Sequence, residues 1–178
     1  MNFNLTILRL KIMFYLLLGK IRKNSSKIEF PNHKKIKRVI IFFPVNEDLF
    51  RLSLYSFRKF NFHQDNIKYF FIINQKFQNM INLNGINLIF VNYKKNKMTF
   101  CNIEQQNSLI NNGCDVIIDL NVEFFLGLSK FIAYIKSNIK IGFKSTFSDY
   151  FYNLQLDVKK SGIIEDSYKK IEKILESL

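Results

Sequence analysis

The sequence predicts an α/β protein: a single Rossmann-like domain with a doubly wound, mainly parallel sheet, preceded by an N-terminal helix that is both apolar and basic. Two observations predict this class. From residue 37 onward, short apolar runs rich in β-branched and aromatic residues alternate with segments of helical periodicity. Such alternation indicates right-handed βαβ crossovers. The runs are apolar throughout, as in strands that are buried on both faces.

The length and composition indicate one main domain. With 178 residues the chain is long enough for one substantial core but hardly for two. Nearly half of the residues are apolar and 20 are Phe, which excludes a disordered chain. Only 2 Pro and 6 Gly are present, so no linker stands out. We expect an N-terminal helix at residues 1–25 and the Rossmann-like domain at residues 26–178.

The formal net charge of +13 favours polyanionic partners such as nucleic acid, an anionic membrane surface or a phosphorylated substrate. Of the 27 basic residues, 22 are Lys and 5 are Arg. Proteins that read nucleic-acid sequence rely on Arg for bidentate contacts, so the composition disfavours nucleic acid as a partner. Abundant Lys, Asn, Ile and Phe are also typical of an AT-rich genome, and composition alone explains the charge equally well.

The cysteines and histidines predict neither a metal site nor a metal cofactor. Cys101 and Cys114 lack C-x-x-C spacing, and His33 and His63 have no neighbouring ligand residues. Two cysteines without a pairing pattern are typical of a reducing compartment, so we expect a cytoplasmic protein.

The N-terminal segment has helical periodicity, with apolar residues over most of its circumference. Its continuous apolar run, residues 12–18, is shorter than the ~20 residues that span a bilayer. Basic residues follow the run, where a cleaved signal peptide would have small residues. Two interpretations remain open. The helix packs on its own domain or a partner chain, or it lies peripherally at the inner membrane with its Lys and Arg side chains among anionic headgroups.

Five apolar runs are predicted to be strands. Four of them should form a parallel sheet with helices on both faces: Val39–Phe43, Tyr69–Ile73, Leu88–Val91 and Val116–Leu120. A fifth strand is predicted at residues 139–143. Helices are predicted between and after the strands, at residues 46–60, 74–84, 103–113, 122–136 and 164–178, the third of them ended by Gly113.

The carboxyl ends of these strands are where a doubly wound sheet binds its ligand. Asp119 and Gly142 lie at two such ends, and Ser145 follows in a polar loop, so these three residues are the predicted substrate-binding residues. Simpler roles remain open, because Asp119 can support the start of the next helix and the polar loop can be a turn.

The loop after the first strand, PVNED, has no glycine that would let the backbone wrap a phosphate. The sequence has neither G-x-G-x-x-G nor a Walker A motif, so we expect no nucleotide cofactor. Asn46 is a favourable helix N-cap, and Glu47 and Asp48 suit the first turn of a helix electrostatically. For Asp48 this structural role is one interpretation, and a catalytic role, described below, is the other.

The order of elements resembles the N-terminal half of the heptosyltransferase-type glycosyltransferases. The resemblance is carried by the aspartate-closed strand at residues 115–120 and by the Ile-Gly-Phe ending at residues 141–143, and it extends over residues 37–153. Short single-domain bacterial proteins of unassigned role share that ending. Asp48 falls where the family has a Gly-Asp turn with a catalytic base, although Glu47 replaces the glycine and Pro44 stands where another glycine is usual.

The resemblance implies a heptosyltransferase-like half-domain in assembly of bacterial cell-envelope glycans such as lipopolysaccharide. It implies that Asp48 takes a proton from an acceptor sugar. The half that binds the sugar nucleotide in the family has no counterpart here, which implies a partner chain with a donor-sugar domain or a domain without independent catalysis. The alternatives are a non-catalytic module that binds a membrane or a partner and, less favoured, a basic nucleic-acid-binding protein.

Overall fold

A seven-stranded sheet with helices on both faces forms the domain in a computed structural model, which describes residues 3–19, 21, 36–62, 67–81, 86–158 and 163–177. The strands are β1 (Arg38–Phe42), β2 (Lys68–Asn74), β3 (Asn87–Lys94), β4 (Lys97–Phe100), β5 (Val116–Asp119), β6 (Ile139–Phe143) and β7 (Leu154–Leu156). The α-helices are α1 (Phe3–Leu17), α2 (Glu47–Ser56), α3 (Ile103–Asn112), α4 (Leu126–Tyr134) and α5 (Ile164–Glu176). Two short 3₁₀ helices occupy Gln75–Met80 and Ser148–Tyr150.

The strand order is β4-β3-β2-β1-β5-β6-β7, and every pairing is parallel except that of β3 with β4. Strand β1 is central, with Ile41 opposite Phe71 of β2 on one side and Ile118 of β5 on the other. The predicted fold class, a doubly wound and mainly parallel sheet, is confirmed. The four strands expected in that sheet are present with small shifts at their ends.

Alternate residues of the central strands enter two separate cores, as the pleat of a strand requires. Val39 and Ile41 face the core under α2 and α5, whereas Ile40 and Phe42 face the core under α1, α3 and α4. Because both faces of β1 are covered, the strand is apolar without alternation. The loop that follows it starts between the two helical layers, where Phe43 and Pro44 are still buried.

The structure differs from the predicted elements at several places. The helix expected at residues 74–84 is a 3₁₀ helix at Gln75–Met80, and α2 ends at Ser56 rather than at residue 60. Strands β4 and β7 were not predicted, and β4 adds an antiparallel hairpin to the edge of the sheet. Helix α4 begins at Leu126 rather than at residue 122, because residues 120–125 form an extended turn after β5. Gly113 does end α3: its φ of 58° suits glycine, and a Cβ there would lie 2.8 Å from the carbonyl oxygen of Lys136.

The N-terminal helix α1 ends at Leu17 and is followed by a turn with Gly19 at a φ of 65°. The remainder of the predicted helix, Lys20 and residues 22–25, lies outside the described residues. None of the helices that the structure describes is long and apolar enough to cross a membrane. The division of the chain at residue 25 stays a prediction.

Candidate functional site at the carboxyl edge of the sheet

The order in which successive strands are added to the sheet reverses at β1. Strands β2 and β3 lie on one side of β1, and β5, β6 and β7 lie on the other. The crevice beyond the carboxyl ends of β1 and β5 is therefore the topological switch point, where sheets of this kind bind ligands. Asp48 follows β1 at this edge and Asp119 is the last residue of β5.

Asn121 joins the two sides of this crevice. Its Oδ1 accepts a hydrogen bond of 2.8 Å from the backbone N–H of Val45, and its Nδ2 donates one of 3.3 Å to the carbonyl oxygen of Phe43. Nδ2 also lies 2.8 Å from Oδ1 of Asp119. The amide of Asn121 thereby occupies the space between the β1 and β5 ends and fixes the loop that leads into α2.

Asp119 is a buried carboxylate with a complete set of donors. The backbone N–H of Asn121 donates to its Oδ1 over 2.9 Å, and the hydroxyl of Tyr152 donates to its Oδ2. Burial raises the pKa of Asp119 to about 6, and the hydrogen bonds from Tyr152 and Asn121 limit the rise because they favour the charged form. The carboxylate thus lies buried behind the switch point, where hydrogen bonds from Asn121 and Tyr152 hold it in place.

Gly142 makes room for the ring that reaches Asp119. A Cβ at Gly142 would lie 2.7 Å from two ring carbons of Tyr152, closer than side chains can approach. The backbone of β6 and the phenol of Tyr152 are therefore in direct contact, and the structure brings Asp119 and Gly142 together through Tyr152. Burial and the negative charge of Asp119 both raise the pKa of the Tyr152 hydroxyl.

Two more tyrosines lie around the aspartate. Tyr93, from β3, packs against Phe125, and its buried hydroxyl has no hydrogen-bond partner among the described residues. Burial, assisted by the charge of Asp119, raises its pKa. On the opposite face, the Tyr168 hydroxyl of α5 donates to the carbonyl oxygen of Leu120 over 3.0 Å. The end of β5 is thus anchored on this face by α5.

Asp48 is exposed in the first turn of α2. Asn46 caps the helix, its Oδ1 accepting a hydrogen bond of 3.1 Å from the N–H of Leu49, and Glu47 pairs with Arg51 at 2.8 Å. The neighbouring polar groups are thereby engaged, while no hydrogen bond or ion pair of the Asp48 carboxylate is found among the described residues. An exposed carboxylate therefore lies at the predicted edge of the sheet.

Ser145 lies in the loop after β6 and is half-buried. Its backbone N–H donates to Oγ of Ser148 over 3.0 Å, and that hydroxyl donates back to the Ser145 carbonyl oxygen over 2.8 Å. No hydrogen bond or ion pair in the described chain joins Ser145 or Asp48 to Asp119. The substrate-binding roles of Asp119, Gly142 and Ser145, and the catalytic role of Asp48, remain predictions.

Sequence reasoning missed Asn121 and Tyr152, the two residues that organise this edge. One signal for them was present: an aspartate that closes a fully apolar strand must find hydrogen-bond donors when it is buried. The donors themselves could not be identified, since Tyr152 is 33 positions away in the chain.

A second concavity lies away from the carboxyl edge. It is a groove of about 420 Å³ between the end of α2 and helix α5, lined by both acidic and basic side chains, among them Arg58, Lys59, Glu165 and Lys169. Helix α2 starts at the carboxyl edge and runs back along the sheet, so its last residues lie toward the opposite edge. Within the described residues, no cluster of His, Cys, Asp or Glu side chains is arranged to hold a metal ion.

Among solved structures, the chain is similar to the crystal structure of a glycosyl transferase family 9 protein from Veillonella parvula DSM 2008. The TM-score is 0.55 at 20% sequence identity, and the match covers 78% of this chain and 41% of that one. No family model and no curated protein matches the sequence. The similarity supports the Rossmann-like fold, and the chain spans less than half the length of the protein it matches.

Proposed function

We propose that this domain is the acceptor-side half of a heptosyltransferase-like glycosyltransferase that acts in bacterial cell-envelope glycan assembly. The observation that carries the proposal is the position of Asp48. It is an exposed carboxylate in the first turn of α2, the helix that follows the central strand, in a fold similar to that of a glycosyl transferase family 9 protein.

In the proposed reaction, Asp48 acts as the general base. An acceptor hydroxyl bound at the carboxyl edge attacks the anomeric carbon of the donor sugar and gives its proton to the Asp48 carboxylate. The new glycosidic bond forms as the bond to the nucleoside diphosphate breaks, and the diphosphate leaves with the bonding electrons. A positioned base of this kind contributes typically 10²–10⁴-fold to the rate.

The donor nucleotide binds, in this proposal, on a second domain supplied by a partner chain. Residues 44–46 include no glycine that would let the backbone approach a diphosphate closely. The Asn121 side chain also occupies the crevice between β1 and β5. The edge described here therefore suits an acceptor better than a nucleotide, and the domain does not catalyse transfer independently.

The other predicted residues have supporting roles in this proposal. Asp119 and Gly142, with Tyr152 between them, form a rigid floor beneath the acceptor, and the Ser145 loop forms one wall. A rigid floor matters because a base must stay within hydrogen-bond distance of the hydroxyl that it deprotonates.

Binding of an acceptor glycan can be followed by NMR on the ¹⁵N-labelled protein. Core oligosaccharide released from bacterial lipopolysaccharide should shift the amide signals of residues 45–49 and 144–146, and the shifts should saturate. Shifts confined to the groove between α2 and α5, or no saturable shifts at millimolar oligosaccharide, would contradict an acceptor site at the carboxyl edge.

A further inference from the structure

Helix α1 is apolar on two opposite sides, and only one of them is covered. Ile12 is buried, and Leu8, Tyr15 and Leu16 pack with it against the core under α4. The Lys130 ammonium lies 3.9 Å from the centroid of the Tyr15 ring, which adds a cation–π contact between α4 and α1. The helix is thus fixed on the domain by its inner side.

The outer side of α1 presents a continuous surface of large apolar side chains. Leu10 is 61% exposed and Leu17 is 85% exposed. At 100° per residue they share one face with four other exposed apolar residues of the helix and the turn after it, namely Ile7, Met13, Phe14 and Leu18. The exposed Leu5 projects on the other side of the helix. Single exposed apolar residues are ordinary, but a contiguous patch of this kind marks an interaction surface.

Basic side chains border this outer face. Arg9 and Lys11 are both exposed and project about 200° apart around the helix, one on each flank of the apolar face. Helix α1 contains no acidic residue. Among residues 1–38 the sequence has ten Lys or Arg residues and one acidic residue, Glu29.

This pattern distinguishes between the possible occupants of the outer face. Pairing with the same face of a second copy would bring Arg9 and Lys11 near their equivalents, with no carboxylate on either helix to balance them. The 15 residues of α1 that the structure describes reach about 22 Å, which is less than the ~30 Å hydrocarbon core of a bilayer. A lipid surface with an apolar interior and negatively charged headgroups fits both the apolar face and its basic flanks. Lys and Arg side chains can extend along such a surface to the headgroups.

We propose that the outer face of α1 binds the surface of an anionic lipid bilayer. The helix lies in the plane of the interface, with Leu10, Phe14 and Leu17 inserted below the headgroups and Arg9 and Lys11 among them. The inner side stays packed on the domain, so binding requires no unfolding. The proposed membrane binding rests on helix α1 alone and not on the proposed function.

Vesicle flotation of the full-length protein tests the proposal. The protein should float with vesicles of 70% phosphatidylcholine and 30% phosphatidylglycerol and much less with pure phosphatidylcholine, and high salt should weaken the interaction. Leu10→Ser/Leu17→Ser should reduce partitioning by about tenfold or more, because the inserted hydrocarbon is lost. Ile103→Ser is the matched control, since Ile103 is 63% exposed on α3 and should leave flotation unchanged.

Thermal unfolding and sedimentation make the result decisive. The double variant should keep the melting temperature of the parent, since both side chains are exposed. Two results would overturn the proposal: a parent protein that floats with neither kind of vesicle, or one that is dimeric through α1 and becomes monomeric in Leu10→Ser/Leu17→Ser. Equal loss of flotation in Ile103→Ser would also contradict it, because the effect would then not belong to α1.

Discussion

The Tyr152 hydroxyl donates a hydrogen bond to the carboxylate of Asp119, a residue 33 positions earlier in the chain. This contact ties the loop after β6 to the end of β5, directly beneath the topological switch point. Gly142 allows it, because a side chain at that position would push the Tyr152 ring away from the aspartate. The edge of the sheet is therefore fixed by buried side chains, while Asp48 stands open to solvent beside it.

The first prediction concerns the pH dependence of stability that Asp119 causes. Its pKa is raised to about 6 in the folded protein, against about 3.9 in an unfolded chain. The folded state therefore binds the proton more tightly. The stabilisation from Asp119 is complete below about pH 4 and is lost as the pH rises through about 6.

Asp119→Asn should remove this dependence and keep the hydrogen bonds, because its Oδ1 still accepts from Asn121 and its Nδ2 can donate to Tyr152. Urea unfolding of both proteins from pH 4.5 to 8 is the measurement. Relative to the variant, the parent should lose on the order of 2 kcal/mol in free energy of unfolding over that range. Parallel curves for the two proteins would show that Asp119 does not titrate there.

The second prediction concerns Gly142→Ala. The added Cβ would overlap the Tyr152 ring, so the free energy of unfolding should fall by about 1–3 kcal/mol. In a Tyr152→Leu background the same change should cost less, because the rigid ring is gone. A double-mutant cycle measures the coupling between the two positions. Additive effects would mean that the glycine is required for another reason.

The third prediction concerns Asn121→Ala, which removes the bridge across the switch point. Loss of its hydrogen bonds to Val45 and Phe43 should lower the free energy of unfolding by about 1–3 kcal/mol. Hydrogen exchange should accelerate at the Val45 amide. Asn46→Ala is the matched control, because it releases the Leu49 amide instead. Unchanged protection at Val45 would contradict the bridging role of Asn121.

The sheet was predictable from the sequence because its central strands are buried on both faces. Residues 39–43 and 116–118 are apolar without interruption, a pattern typical of strands inside a doubly wound sheet. Strands β4 and β7 were not predicted because they are short edge strands, half-buried or exposed, in which apolar residues alternate with polar ones. The start of α4 was placed too early because Val122 and Phe124 pack on the cores from a turn.

The candidate site was predictable only in part. The position of Asp119 and Gly142 at carboxyl ends follows from strand order, and the structure brings them together. The identity of their partners depends on contacts between distant segments, which periodicity does not encode. Asn121 is an example. An asparagine after a strand predicts only a turn, yet the side-chain amide of Asn121 joins β5 to the loop after β1.

The fourth prediction concerns Asp48 and the proposed function. If Asp48 is the base, Asp48→Asn should abolish most transfer, by on the order of 10²-fold or more, with the free energy of unfolding changed by less than about 1 kcal/mol. Glu47→Gln is the matched control. It removes one charge from the same first turn of α2 and from the exposed pair with Arg51, so it should alter stability slightly and function not at all.

The most direct measurement is the mass of the envelope glycan in the host bacterium after deletion of the gene and its return in three forms. Deletion should shorten the lipopolysaccharide core by a sugar, as read by mass spectrometry. The parent sequence and Glu47→Gln should restore the full mass, whereas Asp48→Asn should leave it short at an equal level of folded protein. Full restoration by Asp48→Asn, or an unchanged glycan after deletion, would contradict the proposed function.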